Sequence, residues 1–319
     1  MRAFVLGAIG HPPELTDVPD PAPGPGEIGV KIAACGLNFA DLLVSQGKYQ
    51  ERPALPAILG MELSGTVETL GPDVSRVAVG DRVAIYSGGR GLAERGVFAA
   101  SDAVTLPPEM PFEDAAGFLI AYGTSHVALA HKAHLRPGET LLVLGAAGGV
   151  GLTAVEIGKV MGARVIACAR GADKLDAARR AGADHLIDSE TQDIRDTVKD
   201  LGGADVVYDP VGGDQFTSAL RATRPDGRIL AIGFASGTVP QIPANHLLVK
   251  NVSVHGLYWG AYARFAPEVL TDSLATLFGW YAERRLKPHV SHVLPLQRTA
   301  EGLELLRSRK ATGKVVITP

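Results

Sequence analysis

Short apolar or alternating runs, separated by turns rich in glycine and proline, fill the first 120 residues of the chain. In order, these runs are MRAFVL, IGVKIAA, SGTVETLG, DRVAIY and FAASDAVTL. Alternation of apolar and polar residues has the two-residue period of a β-strand with one buried face. Many short strands of this kind predict a barrel-like, β-rich domain.

The hydrophobic period changes after residue 121. LLVLG (141–145) is typical of a buried strand, and apolar residues then recur at helical spacing from Val150 to Met161, with Gly162 ending the helix. Further strand-like and helix-like segments alternate: RVIAC, DKLDAARRAG, HLID, TQDIRDTVKDL, ADVVYD, DQFTSALRAT, RILAIG and NVSVHG. This alternation predicts an α/β fold with a doubly wound parallel sheet.

The pattern changes again at residue 263. One apolar helix face is predicted by Leu270, Leu274, Leu277, Phe278 and Tyr281. A strand (VLPL), a helix (TAEGLELLRSR) and a strand (GKVVI) follow. Because this tail lies beyond a sheet of about six strands, we expect it to fold back onto the first domain. The predicted domains are residues 1–122 with 263–319, and residues 123–262.

Composition narrows the possible functions. The chain has 319 residues, 46% of them hydrophobic and 20% charged, which suits two globular domains. A net charge of −3 gives no electrostatic reason to expect nucleic acid or an anionic membrane as partner. The N-terminus does not resemble a signal peptide, and there is no apolar run of about 18 residues, so we expect a cytoplasmic protein.

A glycine-rich loop, LVLGAAGGVG, follows the first strand of the second domain. Its spacing, Ala146-x-Gly148-x-x-Gly151, matches the dinucleotide-binding pattern G-x-G-x-x-G except that an alanine replaces the first glycine. The second glycine would let a pyrophosphate approach the backbone, and the helix N-terminus would attract phosphate. A tight turn without a ligand is the alternative. The predicted loop contacts of a coenzyme are Ala147, Gly148, Gly149, Val150 and Gly151.

The end of the next strand indicates which coenzyme binds. In NAD-binding proteins an acidic residue about 20 positions after the loop holds the ribose hydroxyls. Here Arg170 occupies that region and Lys174 follows one turn later, although Asp173 is close to both. Two cations suit a 2′-phosphate, so the sequence favours NADPH. The alternative is that these two basic residues face solvent at the start of a helix and bind no phosphate.

Several motifs together carry a family resemblance. They are GLNFAD (36–41), Gly47-Lys48-Tyr49, LGMELSGTVETLGPDV (59–74), VAVGDRV (77–83), AAGGVG, LGGADVVYDPVGG (201–213), RILAIGF (228–234) and ATGKVVI (311–317). In these the chain resembles the quinone oxidoreductase (zeta-crystallin) branch of the medium-chain dehydrogenase/reductase superfamily. The resemblance implies a GroES-like catalytic domain, a Rossmann domain and an active site in the cleft between them. It also implies a homodimer that pairs sheet edges near NVSVHG.

The same resemblance bears on metal binding. Zinc alcohol dehydrogenases of the superfamily have a cysteine where this chain has Asn38, and a His-Glu pair where it has Met61 and Glu62. A catalytic zinc needs three protein ligands. We therefore expect no metal, and we interpret Cys35 as a small apolar residue at a strand end. There is no C-x-x-C, which excludes a Cys-rich structural zinc site.

Without a Lewis acid, hydride delivery to an electron-poor quinone or α,β-unsaturated carbonyl is the favoured reaction. The resemblance implies that Tyr49 donates to the developing oxyanion and that Asn38 orients either the nicotinamide amide or the acceptor. Tyr258 and Trp259 either line the acceptor pocket or serve as core or dimer residues. The other coenzyme positions implied by the family are Thr124, Ser189, Gly233, Phe234, Ala235, Gly313 and Lys314.

Two other functions stay open. One is reduction of enoyl thioesters, which would need a basic rim for the phosphates of CoA, and no clustered basic patch is evident beyond 170–180. The other is an NADPH-binding structural or RNA-binding protein with little turnover. The near-neutral charge argues against nucleic acid.

Overall fold

A computed structural model describes residues 1–319, which form two compact units. Unit 1 comprises residues 1–120 and 288–319, and unit 2 comprises residues 121–287. The strands are β1 (Arg2–Leu6), β2 (Glu14–Asp17), β3 (Glu27–Leu37), β4 (Ala57–Ile58), β5 (Glu62–Leu70), β6 (Arg82–Tyr86), β7 (Arg95–Ala99), β8 (Ala103–Thr105), β9 (Thr140–Val143), β10 (Arg164–Ala169), β11 (His185–Asp188), β12 (Ala204–Asp209), β13 (Thr223–Ala231), β14 (Ser253–Gly256), β15 (Val290–Pro295) and β16 (Lys314–Thr318).

The α-helices are fewer than the strands and lie mostly in unit 2. They are α1 (Phe39–Ser45), α2 (Phe112–Ala116), α3 (Leu119–His126), α4 (Gly149–Val160), α5 (Ala172–Arg180), α6 (Ile194–Asp200), α7 (Gly213–Ala222), α8 (Ala244–Lys250), α9 (Tyr262–Phe265), α10 (Pro267–Ala282) and α11 (Thr299–Arg307). None of them is long and apolar enough to span a bilayer.

Unit 1 is built from two sheets. A three-stranded antiparallel sheet has the order β2-β1-β4, and a larger sheet has the order β15-β16-β3-β5-β6-β8, with β7 also paired to β3. β3 is long enough to pair with β5, β7 and β16, so it joins the N-terminal and C-terminal parts of the unit. Alternate residues of these strands, such as Ile28, Val30 and Val83, form its buried core.

Unit 2 contains six strands in the order β11-β10-β9-β12-β13-β14. All its strand pairings are parallel. Counted along the chain from β9, this is the order 3-2-1-4-5-6 of the Rossmann fold, which reverses direction between β9 and β12. The doubly wound sheet predicted from the alternating pattern is therefore present.

Residues 263–287 do not lie where the sequence pattern placed them. We expected this segment in the first domain, but the contacts of the chain assign it to unit 2. Ser273 Oγ on α10 bonds His126 Nδ1 at 2.8 Å, Trp280 packs edge-on against the same ring, and Arg285 donates to the carbonyl of Val160. An amphipathic face shows that a helix packs, but not which core it packs on.

The helix predicted over TQDIRDTVKDL begins three residues late, at Ile194. The carboxylate of Asp193 accepts a hydrogen bond from the backbone N–H of Asp196 at 2.8 Å and caps the helix there. Residues before this cap are held in a turn by Asp188, whose backbone N–H donates to Gln192 Oε1. Side-chain capping thus sets the helix start.

Candidate active site

The carboxyl edge of the unit 2 sheet gathers most of the predicted coenzyme residues. Because all six strands are parallel, the segments that follow them leave the sheet at one edge. The glycine loop follows β9, Arg170 follows β10, and Ser189 follows β11. The remaining predicted residues at this edge are Gly233, Phe234 and Ala235 after β13, and Tyr258 and Trp259 after β14.

The geometry of the glycine loop fits a pyrophosphate. A Cβ on Gly151 would lie 2.2 Å from Gly145 O, so only glycine permits this approach of helix α4 to the sheet. A Cβ on Gly148 would meet only Gly145 O, at 3.4 Å, which leaves the backbone open on that side. Gly148 is also the N-cap of α4, so the first free N–H groups of the helix follow it. The motif requires an open backbone at its second glycine and close packing at its third, and Gly148 and Gly151 have these properties.

A buried hydroxyl cluster supports the first turn of α4. Ser125 Oγ lies 3.0 Å from Val150 O, 2.8 Å from Thr153 Oγ1 and 2.9 Å from Tyr208 Oη. Thr124, a predicted coenzyme residue, precedes this serine and is buried. Sequence reasoning missed the cluster, because serine, threonine and tyrosine are common in every part of a domain. These bonds fix α4, and therefore the loop, against α3 and β12.

Asp209 organises the neighbouring loop after β12. Its Oδ1 accepts from the backbone N–H groups of Val211 at 2.7 Å and Gly212 at 2.9 Å. Burial raises the pKa of this carboxyl, and the two N–H bonds oppose that effect. A Cβ on Gly145 would lie 2.9 Å from Val211, so the turn that Asp209 holds abuts the start of the glycine loop.

The predicted phosphate-binding corner is less basic than the sequence suggested. Ser189 N donates to Ala169 O at 3.0 Å, which places the end of β11 beside Arg170. Arg170 Nε lies 3.7 Å from Glu190 Oε1, and both side chains are about half exposed. Glu190 was not considered from the sequence, and its charge opposes a 2′-phosphate at this corner.

A buried polar network occupies the end of β3 in unit 1. Lys314 Nζ donates to Glu62 Oε1 at 2.7 Å, to Asn38 Oδ1 at 2.8 Å and to Leu37 O at 2.9 Å. Asn38 Nδ2 donates to Glu62 Oε1 at 3.0 Å and to Gly36 O at 3.2 Å. Glu62 Oε2 accepts from the backbone N–H of Ile120 at 2.9 Å. We call Asn38, Glu62 and Lys314 the unit 1 network.

The position of Lys314 differs from the expected one. Its side chain is 8% exposed, and all three N–H groups of its ammonium bond acceptors within unit 1. The ammonium has no donor left for a coenzyme, so the expected contact through this group is not supported. Gly313 shapes the turn before it with φ +62°, and a Cβ there would lie 2.2 Å from His289 O.

Sequence reasoning missed Glu62 as a functional residue, although a signal was present. Glu62 and Lys314 each stand as a single charge at the start of an apolar strand, in ELSGTV and KVVI. Charges buried in this way are almost always paired. The two opposite charges, 252 positions apart, were therefore candidates for one buried ion pair.

Asp41 holds the backbone of Asn38. Its Oδ2 accepts from Asn38 N at 2.8 Å, and its Oδ1 accepts from Gly60 N at 3.3 Å. Burial raises the pKa of Asp41 to about 6. Asp41 also lines a cavity of about 430 Å³ in unit 1, whose other walls come from Val44, from residues between 53 and 61, and from residues 87–90.

The three aromatic residues predicted to contact the acceptor have different surroundings. Tyr49 is half-buried and packs against the apolar cluster that contains Leu37 and Leu59. Trp259 is buried, and a Cβ on Gly123 would lie within 2.8 Å of its indole ring. Of the alternatives left open for Trp259, this contact favours the core. Tyr258 beside it is half-buried.

The unit 1 network does not fit a catalytic zinc. Glu62 already accepts an ammonium, an amide and a backbone N–H, and Met61 is buried in an apolar cluster. Burial, together with the charges of Asp41 and Glu62, raises the pKa of Cys35 well above its usual range, so this thiol stays protonated. Cys35 is packed among apolar side chains, as its interpretation as a small apolar residue required. No group of three or more His, Cys, Asp or Glu side chains in residues 1–319 is arranged so that it could hold a metal ion.

Comparison with known proteins identifies the family. A model of the alcohol dehydrogenase GroES-like domain matches residues 24–131, and a model of the zinc-binding dehydrogenase matches residues 149–274. The chain is 41% identical to the quinone oxidoreductase-like protein 2 homolog of Nematostella vectensis, over 99% of this chain and 88% of that protein.

Solved structures show the same similarity. The quinone oxidoreductase of Thermus thermophilus, also solved in complex with NADPH, has a TM-score of 0.89 and 33% identity over 100% of both chains. The Escherichia coli quinone oxidoreductase complexed with NADPH has a TM-score of 0.92 and 29% identity over 100% of both chains. The chain is therefore an oxidoreductase of the medium-chain dehydrogenase/reductase superfamily, with a GroES-like and a Rossmann domain. Within that superfamily it belongs to the quinone oxidoreductase branch, which confirms the predicted fold class and family.

Proposed function

We propose that this protein is an NADPH-dependent reductase of quinones and α,β-unsaturated carbonyl compounds that transfers hydride without a metal. The observation that carries the proposal is the chemistry of the unit 1 network. Its amide, carboxylate and ammonium are bonded to one another, so none of them can acidify an alcohol as a zinc ion does. Acceptors that are already electron-poor need no such activation.

The coenzyme would be held by groups at the carboxyl edge of the unit 2 sheet. The N–H groups at the start of α4 would bind the pyrophosphate over Gly148, and Arg170 with Lys174 would bind the 2′-phosphate. When bound, NADPH would supply the hydride from C4 of its nicotinamide ring. Relatives of 33% and 29% identity that were solved with NADPH support this assignment.

Tyr49 would donate a hydrogen bond to the oxygen on which negative charge develops. A phenol is neutral at pH 7 and retains its proton for such a bond. Water would then protonate the reduced acceptor.

A turnover assay tests the proposed function. NADPH oxidation is followed with a panel of quinones, enones and one enoyl-CoA thioester, alongside a measurement of NADPH affinity. We expect turnover with quinones or enones. Turnover restricted to the thioester would favour the enoyl thioester reductase, and NADPH binding without any turnover would favour a structural role.

The variant Tyr49→Phe tests the proposed donor. We expect kcat to fall by about a hundredfold, because removing one oxyanion donor has effects of this size, while the NADPH Kd stays the same. Tyr86→Phe is the matched control, since Tyr86 is also a half-buried tyrosine that packs on the same apolar cluster. An unchanged kcat in Tyr49→Phe would remove Tyr49 from the reaction.

We also propose a homodimer formed through the edge of the unit 2 sheet. β14 pairs only with β13, so its other edge has free N–H and C=O groups. On the preceding helix α8, Leu248 and Val249 are 77% and 76% exposed. Sedimentation analysis is expected to give a dimer for the wild type and a monomer for Leu248→Lys with Val249→Lys; a monomeric wild type would refute the assignment.

A further inference from the structure

Asp209 ends β12 at the point where the strand order of the unit 2 sheet reverses. β12 pairs with β9 on one side and with β13 on the other. In a doubly wound sheet the ligand crevice opens at the carboxyl ends of the two strands that flank this reversal, which here are β9 and β12. The glycine loop follows β9, and residues 209–213, which we call the β12 loop, end β12 and lead into α7. Both loops therefore border the crevice.

The carboxylate of Asp209 is buried and serves the backbone of its own loop. Asp209 is 1% exposed, and its Oδ1 accepts the N–H groups of Val211 and Gly212. No cation is among the groups that shift its pKa. Burial of a carboxylate costs free energy unless hydrogen bonds compensate its charge, and two N–H groups of one turn do so here. The charge of Asp209 is thus spent on fixing the β12 loop.

The β12 loop is bonded in turn to residues 232–238, which follow β13 and which we call the β13 loop. Backbone hydrogen bonds join the two loops: Asp209 O accepts from Ile232 N at 2.9 Å, Pro210 O from Ala235 N at 3.0 Å, Val211 O from Ser236 N at 2.9 Å and Thr238 O from Gly213 N at 3.1 Å. A Cβ on Gly212 would lie 2.8 Å from Thr238 O, so the two backbones also pack closely. The β13 loop therefore follows any movement of the β12 loop.

The two halves of a dinucleotide depend on these loops to different degrees. A dinucleotide binds across the crevice, so one nucleotide lies over β10 and β11 and the other over β12 and β13. The proposed 2′-phosphate corner at Arg170 follows β10, which assigns the adenosine half to that side. The nicotinamide half is then the part that lies beside the β12 and β13 loops.

We propose, building on the function proposed above, that Asp209 is a positioning residue for the nicotinamide half of the coenzyme. Its carboxylate fixes the β12 loop, and the β12 loop sets the position of the β13 loop relative to the glycine loop. Asp209 acts through these loops and not by contact with the coenzyme. The adenosine half, on the other side of the crevice, does not depend on it.

Two ligands test this division. Kd is measured for NADPH and for adenosine 2′,5′-bisphosphate, which carries the 2′-phosphate but lacks the nicotinamide half. In Asp209→Ala we expect the Kd of NADPH to rise about tenfold, the effect of about one lost hydrogen bond. The Kd of the bisphosphate should change by less than about twofold. A general weakening of unit 2 would raise both Kd values alike.

A conservative variant tests whether the accepted hydrogen bonds carry the effect. Asp209→Asn keeps a side-chain oxygen with two lone pairs, which can accept both N–H groups of the turn. We expect it to bind NADPH within about twofold of the wild type. A loss as large as that of Asp209→Ala would mean that the bonds to Val211 and Gly212 do not position the coenzyme.

Gly212→Ala disturbs the same loops without changing the carboxylate, and it serves if Asp209→Ala does not fold. Its Cβ would press on Thr238 O, so the loss should again be selective for NADPH. Gly138→Ala is the control. Gly138 also has a positive φ, +84°, but its Cβ would meet nothing within 4 Å, and it precedes β9 at the opposite edge of the sheet. This variant should bind both ligands as the wild type does.

Two further results would overturn the inference. They are equal changes for the two ligands in Asp209→Ala, and an unchanged NADPH affinity in that variant or in Gly212→Ala. Failure of the proposed function gives a different result, since the wild type would then neither bind nor oxidise NADPH. A wild type that binds and oxidises NADPH, with variants that lose no affinity selectively, refutes only the role of Asp209.

Discussion

The glycine loop of unit 2 is one short run of residues, Gly145–Gly151, whereas unit 1 assembles its network from Asn38, Glu62 and Lys314, which lie far apart in the chain. The first site consists of backbone and depends on the absence of side chains. The second consists of side chains and depends on a balance of buried charge. Local spacing thus determines one site and long-range strand pairing determines the other, so the two should respond differently to mutation and to pH.

The largest effect is expected for Lys314→Met. It leaves the Glu62 carboxylate buried without its cation, and breaking a buried pair in this way costs about 3–5 kcal/mol. Urea unfolding measures the loss. Lys310→Met is the control, because that lysine is exposed and close by in the chain. If the free energy of unfolding falls by less than about 1 kcal/mol, which is the value of a surface ion pair, then Glu62 and Lys314 do not form a buried ion pair that stabilises the fold.

A smaller loss of stability is expected for Gly151→Ala in unit 2. Its Cβ would lie 2.2 Å from Gly145 O, and relieving such a clash costs about 1–3 kcal/mol and shifts the loop. NADPH affinity should fall with it. Gly148→Ala is the matched variant, because its Cβ meets only Gly145 O at 3.4 Å. That variant should keep its stability and lose affinity, and unchanged affinity there would place the pyrophosphate elsewhere.

Acid should act on the two units in opposite directions. Burial lowers the pKa of His126 in unit 2 to about 4, so its contribution to stability is lost as pH falls from about 6.5 towards 4. Burial raises the pKa of Asp41 in unit 1 to about 6, so protonation stabilises that unit as pH falls through this value.

Two variants separate these contributions. Between about pH 8 and pH 5, the wild type should lose about 2 kcal/mol of stability relative to His126→Gln. Relative to Asp41→Asn it should gain about 1 kcal/mol over the same range. Denaturant unfolding at a series of pH values measures both differences. If the stability of the wild type changed in the same direction relative to both variants, His126 would not be a buried neutral imidazole and Asp41 a buried carboxylate, as assigned here.

The smallest effect is expected at the phosphate-binding corner. Arg170→Ala with Lys174→Ala should narrow the preference for NADPH over NADH by about tenfold, and the nearby Glu190 limits the change. Arg179→Ala with Arg180→Ala is the control, since these cations lie at the other end of α5 and pair with Asp176. Equal effects in both variants would mean that general charge, and not this corner, attracts the coenzyme.

The contrast between local spacing and long-range pairing also explains which features could be predicted from the sequence. Strand and helix periods predicted the Rossmann sheet, and glycine spacing predicted the loop, because both depend on near neighbours in the chain. The partnership of Glu62 with Lys314 depends on β16 pairing with β3, which no local pattern reveals. The placement of α10 in unit 2 and of Trp259 against Gly123 likewise depends on which surface an apolar face meets.

One measurement tests the central claim that the chain reduces its acceptor with a nicotinamide coenzyme and no metal. The protein is dialysed against a strong chelator until its zinc content is well below one ion per subunit, and NADPH oxidation with a quinone is then compared before and after. We predict an unchanged rate, which added Zn²⁺ does not raise. Loss of turnover that is restored by Zn²⁺ would contradict the account.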